Sequence, residues 1–429
     1  MNIIKLSLFL CFLTLILSGQ TSLNQISIDI SNNALLIYET DKEEAILLSR
    51  QALVADPSNA YAWAVAGNIL RKNKKKLHGE VFNFGPSLKD RLKVIDVIVE
   101  EKPTGEISAG AGTGTSGSSI SFSIAENNYL GRGSKVNLSA TLSDDSVEGK
   151  FRISEPNFKN SDKTLNTTIE SSRNDLMSKF GYETNETGFS FGTTFEQYQD
   201  IFFSPEISMY YESLTTSSKA SNAKKKQEGD YFDTNFSYSL NLNKLNQNFQ
   251  PTDGYRSTFS QSLPILADDR SISNAYEYAN YMKLRNETVF SFIFFAKSIN
   301  NFDDDVRISK RIFIPSRKLR GFAAGKIGPK DNDDFIGGNY GTAMNLAATL
   351  PNFMKDLENI DFSLFLDTAN VWGVDYNSSL DSNKIRSSTG IAVDWFTPIG
   401  PLSFSLASPI TKSSTDETET FRFRIGTTF

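Results

Sequence analysis

The sequence of 429 residues has very little of the chemistry on which enzymes and metal sites depend. It contains one cysteine, Cys11, and one histidine, His78. A disulfide needs two cysteines, and a thiolate metal site needs several. Any nucleophile–histidine pair would have to use His78, which precedes the strand-rich part of the chain. We therefore expect no disulfide, metal site, cofactor or catalytic centre in the strand-rich region.

Long apolar runs are absent beyond the N-terminus. The first segment has a basic residue, Lys5, an apolar run from Leu6 to Leu17, and small residues at Ser18 and Gly19. This is the layout of a secretory signal peptide, and the run is shorter than the roughly 20 residues that a membrane-spanning helix needs. Residues 1–20 are predicted to be a signal peptide. The mature chain is then expected to be exported, and to have neither a cysteine nor a transmembrane helix.

An excess of basic residues is also missing. The chain has 44 Lys and Arg against 50 Asp and Glu, a formal net charge of -6. Its basic residues are dispersed apart from Lys72 and the run Lys74 to Lys76, which is more typical of a solvated helix end. Nucleic-acid binding needs a basic patch, so no nucleic-acid partner is expected.

The sequence is rich in aromatic residues, although its mean hydropathy is that of a polar chain. There are 33 Phe and 15 Tyr, while the mean hydropathy is -0.31. A β-barrel with one face in lipid and the other in water requires this combination. Beyond Gly105, apolar and polar residues alternate in segments of about 9 to 11 residues, the length of a tilted membrane strand. A soluble sandwich also alternates, but so uniform an opposition of aromatics to Ser, Thr and Asn favours a membrane barrel.

The alternation predicts about sixteen strands. They begin near residues 106, 118, 133, 147, 163, 186, 204, 229, 253, 273, 287, 334, 358, 384, 400 and 420. An even count suits a closed barrel with both chain ends in the periplasm. The expected fold is therefore an all-β membrane protein, an antiparallel transmembrane β-barrel over residues 105–429 after a short helical and periplasmic segment. The stretch from Ser298 to Asp333 is too long for a turn, and such segments are commonly functional.

The segment before the barrel divides into two parts. Residues 21–78 are predicted to be helical, with spacings that resemble one tetratricopeptide repeat. These spacings involve Ala45, Ala52, Leu53, Pro57, Tyr61, Trp63 and Gly67. Because one repeat cannot bury its face alone, a short amphipathic hairpin and a partner-binding repeat both remain open. Residues 79–104 end in an alternating strand around Val97, the predicted last strand of a small periplasmic domain.

Several separated blocks, in the same order, resemble the BamA family of outer-membrane β-barrel assembly factors from about Lys93 to Phe429. The blocks are the junction Val97 to Gly105 with Gly110 to Gly114, the turn Glu126 to Gly133, the turn residues Pro251, Gly254 and Tyr255, the loop motif Arg320-Gly321-Phe322, the stretch Gly337-Gly338-Asn339, the strand Phe365 to Trp372 and the hairpin Trp395 to Pro409. Within the barrel, Ala369 stands where the family has glycine, and Gly337 to Pro351 carries no acid where the family often has glutamate. Relatives also carry several periplasmic POTRA domains, whereas residues 79–104 would be a remnant of one.

The resemblance implies a function without bond chemistry: folding and inserting β-barrel proteins into the bacterial outer membrane through a lateral strand seam. The implied partners are unfolded outer-membrane proteins, outer-membrane lipids and, where the N-terminus allows it, accessory assembly lipoproteins. The implied location is the outer membrane, with the N-terminal segment in the periplasm. A partner-protein secretion pore of the same superfamily and a passive diffusion porin are the alternatives. A barrel phospholipase would need an intramembrane serine–histidine pair, which a barrel without histidine lacks.

The seam is expected between the first and last strands. Gly110, Gly112 and Gly114 give the first strand little side-chain packing, so its pairing should be weak; without the resemblance, sharp curvature at barrel closure would explain them as well. Ala111 and Ile425 are predicted to be close enough for crosslinking. The last strand places its apolar residues toward lipid and is expected to carry a C-terminal sorting signal. That signal comprises Phe421, Phe423, Ile425 and Phe429.

The loop motif is expected to fold back into the lumen. On the strand that contains Asp367, the residues Phe362, Leu364 and Leu366 alternate outward, so parity places Asp367 inside. The resemblance implies that Arg320, with Gly321 and Phe322, pairs there with Asp367. A guanidinium and a carboxylate match in bidentate geometry.

Overall fold

A computed structural model describes residues 25, 27–38, 40–56, 59–72, 103–284, 288–351, 359–381, 383–397 and 400–426. The chain divides into two compact units, Met1–Glu101 and Lys102–Phe429. The predicted signal peptide, nearly all of the predicted POTRA remnant and Phe429 lie outside the described residues. Those three predictions therefore stay predictions.

The described part of the first unit is a small helical bundle. Helix α1 covers residues 27–37, α2 is Lys42–Ala55 and α3 is Ala60–Lys72. Asp41 begins α2 by accepting the backbone N–H groups of Glu43 and Glu44 at 3.1 and 3.0 Å, which satisfies donors that have no partner within the helix. The helices pack through small and branched residues. This core comprises Ala34, Tyr38, Ala45, Ile46, Val65 and Ile69.

The second unit is a closed antiparallel barrel of sixteen strands, which confirms the predicted fold. The strands are β1 Gly105–Gly114, β2 Gly117–Tyr129, β3 Ser134–Ser143, β4 Ser146–Glu155, β5 Thr164–Leu176, β6 Tyr182–Tyr198, β7 Ile201–Thr216, β8 Gly229–Asn243, β9 Gly254–Ala267, β10 Ser271–Lys283, β11 Val289–Asn301, β12 Tyr340–Leu350, β13 Ile360–Trp372, β14 Arg386–Thr397, β15 Gly400–Thr411 and β16 Phe421–Gly426. β1 begins at one rim, the entry rim, and the antiparallel β16 runs toward that rim; the opposite rim is the loop rim.

One strand begins well away from its predicted position. The twelfth was predicted near residue 334 but begins at Tyr340. Asp334 and Phe335 are extended, but they pair with Lys330 and Asp331 inside the long loop, and Gly338 pairs with Ile312 of that loop rather than with a barrel strand. Alternation alone cannot distinguish these two kinds of extended backbone.

The long loop, residues 302–339, joins β11 to β12 at the loop rim and folds back into the lumen. Two 3₁₀ turns, Ile308–Lys310 and Ser316–Lys318, bend it. Its apolar side chains pack against inward residues of the barrel wall, an arrangement that removes apolar surface from the wet lumen. This core comprises Phe295, Ile314, Leu319, Phe322, Ile327, Ala343, Ala369 and Val371. No helix in the described part of the chain is both long enough and apolar enough to cross a bilayer.

Candidate functional site

The centre of the candidate site is an ion pair between the long loop and the barrel wall. The Arg320 Nε and Nη2 atoms donate to Oδ2 and Oδ1 of Asp367, both at 2.7 Å. The Arg320 backbone N–H also donates to Asp367 Oδ2, at 3.0 Å. The Asp367 side chain is fully buried, while 20% of the Arg320 side chain is exposed. The parity of β13 does place Asp367 inside, and the fork is bidentate.

A residue that the sequence interpretation missed completes the coordination of Asp367. Asn345 lies opposite Asp367 on β12, and its Nδ2 donates to Asp367 Oδ1 at 2.9 Å and to the Lys318 carbonyl at 2.8 Å. Asp367 therefore accepts four hydrogen bonds, so both of its oxygens are satisfied without solvent. The hairpin register of β12 and β13 would have found Asn345, because it is the inward residue facing Asp367.

The rest of the loop motif fits closely against the wall. The guanidinium carbon of Arg320 lies 3.4 Å from the centroid of the Phe365 ring, within the range of a cation–π contact. Gly321 has a φ of +87°, and a β-carbon there would lie 3.2 Å from the β-carbons of Ser388 and Ala407. The Phe322 side chain is 1% exposed. Each motif residue thus has a separate contact that fixes the loop in the lumen.

Two further anchors involve residues that the sequence interpretation did not single out. Arg386 on β14 donates from Nε and Nη2 to the two carboxylate oxygens of Asp416, both at 3.0 Å, and both side chains are fully buried. Asp416 belongs to the loop 412–420 that leads into β16. Arg422 on β16 donates to two backbone carbonyls of the long loop itself.

Among the described residues, which end at Gly426, the seam between β1 and β16 contains three residue pairs. Within the described residues, Gly112, Thr113 and Gly114 pair with β16, whereas all ten residues of β1 pair with β2. Gly110 pairs with Ser121 of β2 and has no paired residue in the described part of β16. The predicted juxtaposition of Ala111 and Ile425 is wrong by two residues, because Ile425 lies opposite Thr113. Shear between the first and last strands sets this register, and local alternation does not determine it.

Glycine permits a close approach of the two backbones at the seam. A β-carbon on Gly114 would lie 2.6 Å from the Phe423 carbonyl oxygen, and one on Gly426 would lie 2.2 Å from the Ala111 carbonyl oxygen. Both distances are too short for a real contact. These glycines therefore bring the first and last strands together. Phe421 and Phe423 stack on the opposite side of β16 from Arg422, with ring centroids 6.2 Å apart.

Comparison with known proteins bears on this barrel directly. The family model described as "Omp85 superfamily domain" matches residues 128–429. The chain belongs to the Omp85 superfamily. BamA of Neorickettsia risticii is 24% identical over 78% of this chain and 46% of its own length. BamA of Nitratidesulfovibrio vulgaris is 23% identical over 91% of this chain and 50% of its own length.

A solved structure agrees with these relatives. The crystal structure of BamA from Haemophilus ducreyi lacking POTRA domains 1–3 is 27% identical, covers 86% of this chain and 79% of that chain, and superposes with a TM-score of 0.71. The resemblance to the BamA family is confirmed, and this Omp85 barrel is an outer-membrane protein. The chain spans about half the length of the two curated relatives named above.

The departure at Ala369 can be explained within this Omp85 barrel. The Ala369 side chain is 2% exposed and packs in the apolar core beneath the long loop. Its methyl group is accommodated beside Phe322 and Val371 without displacing Asp367, two residues earlier. The absence of an acid on β12 is compensated by Asn345, which supports Asp367 as a donor instead of offering a second carboxylate.

The loop rim of this Omp85 barrel carries its own buried charges. Asp375, between β13 and β14, accepts from the Val306 N–H at 2.7 Å and from Asn339 Nδ2 at 2.9 Å, and it pairs with the Arg311 guanidinium. Burial alone would raise the pKa of Asp375, but the two hydrogen bonds and the Arg311 charge outweigh burial and lower that pKa below its usual value. Asp375 thus fixes the start of the long loop as a charged group.

Proposed function

We propose that this chain assembles β-barrel proteins into the outer membrane by offering the open edge of β1 to client strands. Two curated relatives of the barrel are named outer membrane protein assembly factors. The observation that supports the mechanism is the glycine-rich edge of β1, where Gly110, Gly112 and Gly114 offer little side-chain packing and Gly112 to Gly114 pair with the described part of β16. The proposed partners are unfolded outer-membrane proteins and outer-membrane lipids.

Physical chemistry explains why such an edge would suffice. A strand in hydrocarbon leaves its backbone N–H and C=O groups unsatisfied, at a cost of several kcal/mol each. A client strand that pairs with the free edge of β1 satisfies those groups while it enters the membrane. Templating of this kind makes and breaks hydrogen bonds only, so no catalytic residue is required.

The residues that hold the long loop would stabilise the structure of this barrel rather than contact the client. Arg320 and Asp367 anchor the loop to β13, and Phe322 seals the apolar core beneath it. The loop anchored in the lumen occupies part of the aqueous path that a passive porin would use. The helical unit is proposed to contact accessory lipoproteins, with a purely structural hairpin as the alternative outcome.

Reconstitution tests this function. Proteoliposomes with this protein should fold an unfolded, radiolabelled outer-membrane barrel faster than empty liposomes. Locking the seam with a disulfide between Thr113→Cys and Ile425→Cys should abolish that gain, and reduction should restore it. A disulfide between Ser121→Cys and Thr141→Cys, which lie opposite each other on β2 and β3, is the matched control and should have no effect.

Four outcomes would contradict the proposal in different ways. Equal client folding in empty and loaded liposomes would remove the assembly function. Equal folding by locked and reduced protein would retain the function but remove the seam mechanism. Stable ion conductance in planar bilayers without client folding would favour the porin, and export of one specific partner would favour the secretion pore.

A further inference from the structure

Arg422, on the lumen side of β16, holds both limbs of the long loop. Its Nη1 donates to the Ser316 carbonyl at 2.7 Å and its Nη2 donates to the Phe322 carbonyl at 2.8 Å. These carbonyls lie on either side of Arg320, four residues before it and two after it. Nε of Arg422 donates to Glu419 Oε2 at 2.8 Å, which orients the guanidinium. One side chain on the last strand therefore binds the loop backbone on both sides of Arg320.

The backbone reinforces the same connection. Gly321 and Phe322 form a two-stranded sheet with Glu419 and Thr418, in the loop that leads into β16. The Ala323 N–H donates to the Glu417 carbonyl at 3.0 Å, and the Glu417 N–H donates to the Lys326 carbonyl at 3.1 Å. The long loop and the start of the last strand are thus one hydrogen-bonded structure.

A buried ion pair fastens this structure to the wall. The Arg386–Asp416 pair holds the loop 412–420 to β14, and the Ser388 hydroxyl donates to the Arg320 carbonyl. Breaking a bidentate ion pair that has no exposed surface strongly destabilises a protein, because an uncompensated charge remains buried. The loop-rim end of β16 therefore has side-chain anchors on β14 and in the long loop.

The first strand lacks comparable anchors at this rim. The Thr113 hydroxyl is 2.9 Å from the Ser118 hydroxyl of its own hairpin, and the Thr115 N–H donates to the Phe423 carbonyl at 3.1 Å. Within the described residues, no side-chain hydrogen bond joins β1 to the long loop. The two sides of the seam are consequently held very differently.

We propose that Arg422 is a positioning residue that ties the long loop to the last strand, so that the seam opens by movement of the β1–β2 hairpin while β16 stays with the loop. This proposal rests on the proposed function only in assuming that the seam opens. It assigns Arg422 no contact with a client. Arg422 holds the Ser316 and Phe322 carbonyls. In this way it positions Arg320, which lies between them in the chain.

Distances between spin labels can test which side moves, without any client. One label pair joins Ser116, in the turn of the β1–β2 hairpin, to Lys219 on the opposite part of the loop rim. The other joins Ser414, in the loop before β16, to Lys219. All three side chains are exposed, and Cys11 is replaced by serine. In the unaltered protein we expect a broad or multiple distribution for the first pair and a single narrow peak for the second.

Substitution of Arg422 should remove that narrow peak. In Arg422→Gln the Ser414–Lys219 distribution should broaden, and Arg422→Lys should not restore it, because one ammonium cannot reproduce the bracketing fork. Arg152→Gln is the matched control, since Arg152 donates to Thr168 on the neighbouring strand; it should leave both distributions unchanged. If Arg422→Gln does not fold, Arg422→Lys, which retains the charge, provides the same comparison.

Two results would overturn the proposal. A narrow Ser414–Lys219 peak in folded Arg422→Gln and Arg422→Lys would show that Arg422 does not hold the last strand. A broad Ser414–Lys219 distribution in the unaltered protein would show that β16 moves with the seam. Because neither measurement includes a client, a failure of client folding in liposomes would count against the proposed function and leave this result intact.

Discussion

The Arg320–Asp367 pair allows a quantitative test of how the loop is held. In Arg320→Ala, Asp367 would retain hydrogen bonds from the residue-320 N–H and Asn345, but it would lose its ion pair with Arg320 while fully buried. Removing one partner of a buried pair costs on the order of 3 to 5 kcal/mol of unfolding free energy. We expect Arg320→Ala to fall in that range. Asp367→Ala should cost less, because 20% of the Arg320 side chain already reaches the lumen.

The double variant separates the pair from its surroundings. Contacting residues in one network typically couple by about 0.5 to 3 kcal/mol, and the bidentate geometry places this pair toward the upper end. Unfolding in urea, followed by heat-modifiable gel mobility in lipid vesicles, measures each free energy. Additive losses would refute the reasoning, since they would show that the two side chains do not interact.

A wall pair provides the control for that cycle. Lys150 and Glu170 are 3.0 Å apart in the lumen, with 31% and 28% of their side chains exposed. Exposed pairs contribute about 0 to 1 kcal/mol, so their cycle should give a coupling well below that of Arg320 and Asp367. Similar couplings for the two pairs would mean that burial does not strengthen the loop anchor.

Three further predictions concern the seam, the C-terminus and the loop rim. Gly114→Ala places a β-carbon against the Phe423 carbonyl and should slow formation of the seam disulfide, whereas Gly149→Ala, with nothing within 4 Å of its β-carbon, should not; equal rates would show that close approach does not limit the seam. Deletion of Phe429 should reduce membrane yield far more than burial of one ring, worth about 1.5 to 3 kcal/mol, would explain, and unchanged yield would contradict a sorting signal. Because folding lowers the pKa of Asp375 below its ordinary 3.8, its stabilisation should be complete above that value and be lost as pH falls through the lowered pKa; pepsin cleavage of the loop rim should therefore increase in that acidic window, and an equal pH dependence in Asp375→Asn would contradict the assignment.

The sequence predicts the barrel well because the patterns that indicate each strand are local. Alternation sets which residues face lipid, and turn residues end each strand, so the inward position of Asp367 follows from Leu364 and Leu366 alone. The register of the seam does not follow, because Thr113 and Ile425 are far apart in the chain and meet only when the barrel closes. Identifying Asn345 as a partner of Asp367 required the register of the β12–β13 hairpin, which depends on where the turn after Leu350 falls.

The path of the long loop could be predicted only in part. The Arg-Gly-Phe motif implied a lumen contact through its resemblance to relatives, but Arg422 alternates with Phe421 and Phe423 and looks like any lumen-facing residue of a membrane strand. Its partners in the long loop are backbone carbonyls, which every residue carries and no sequence pattern marks. The buried Arg386–Asp416 pair is hidden for a similar reason, since a loop aspartate gives no sign of the wall residue it meets.

The anchors of the long loop also constrain the order in which this barrel can form. They lie on both sides of the loop in the chain. Arg307 pairs with Asp233 on β8 and Lys318 with Glu277 on β10, whereas the Arg-Gly-Phe motif is held by Asp367 on β13, Ser388 on β14 and Arg422 on β16. A chain that has paired only its first eleven strands can therefore place the start of the loop, but it lacks the hydrogen-bond partners of the motif. Seating the motif and closing the barrel become one late event, governed by the pairings of greatest sequence separation, which are intrinsically slow to form.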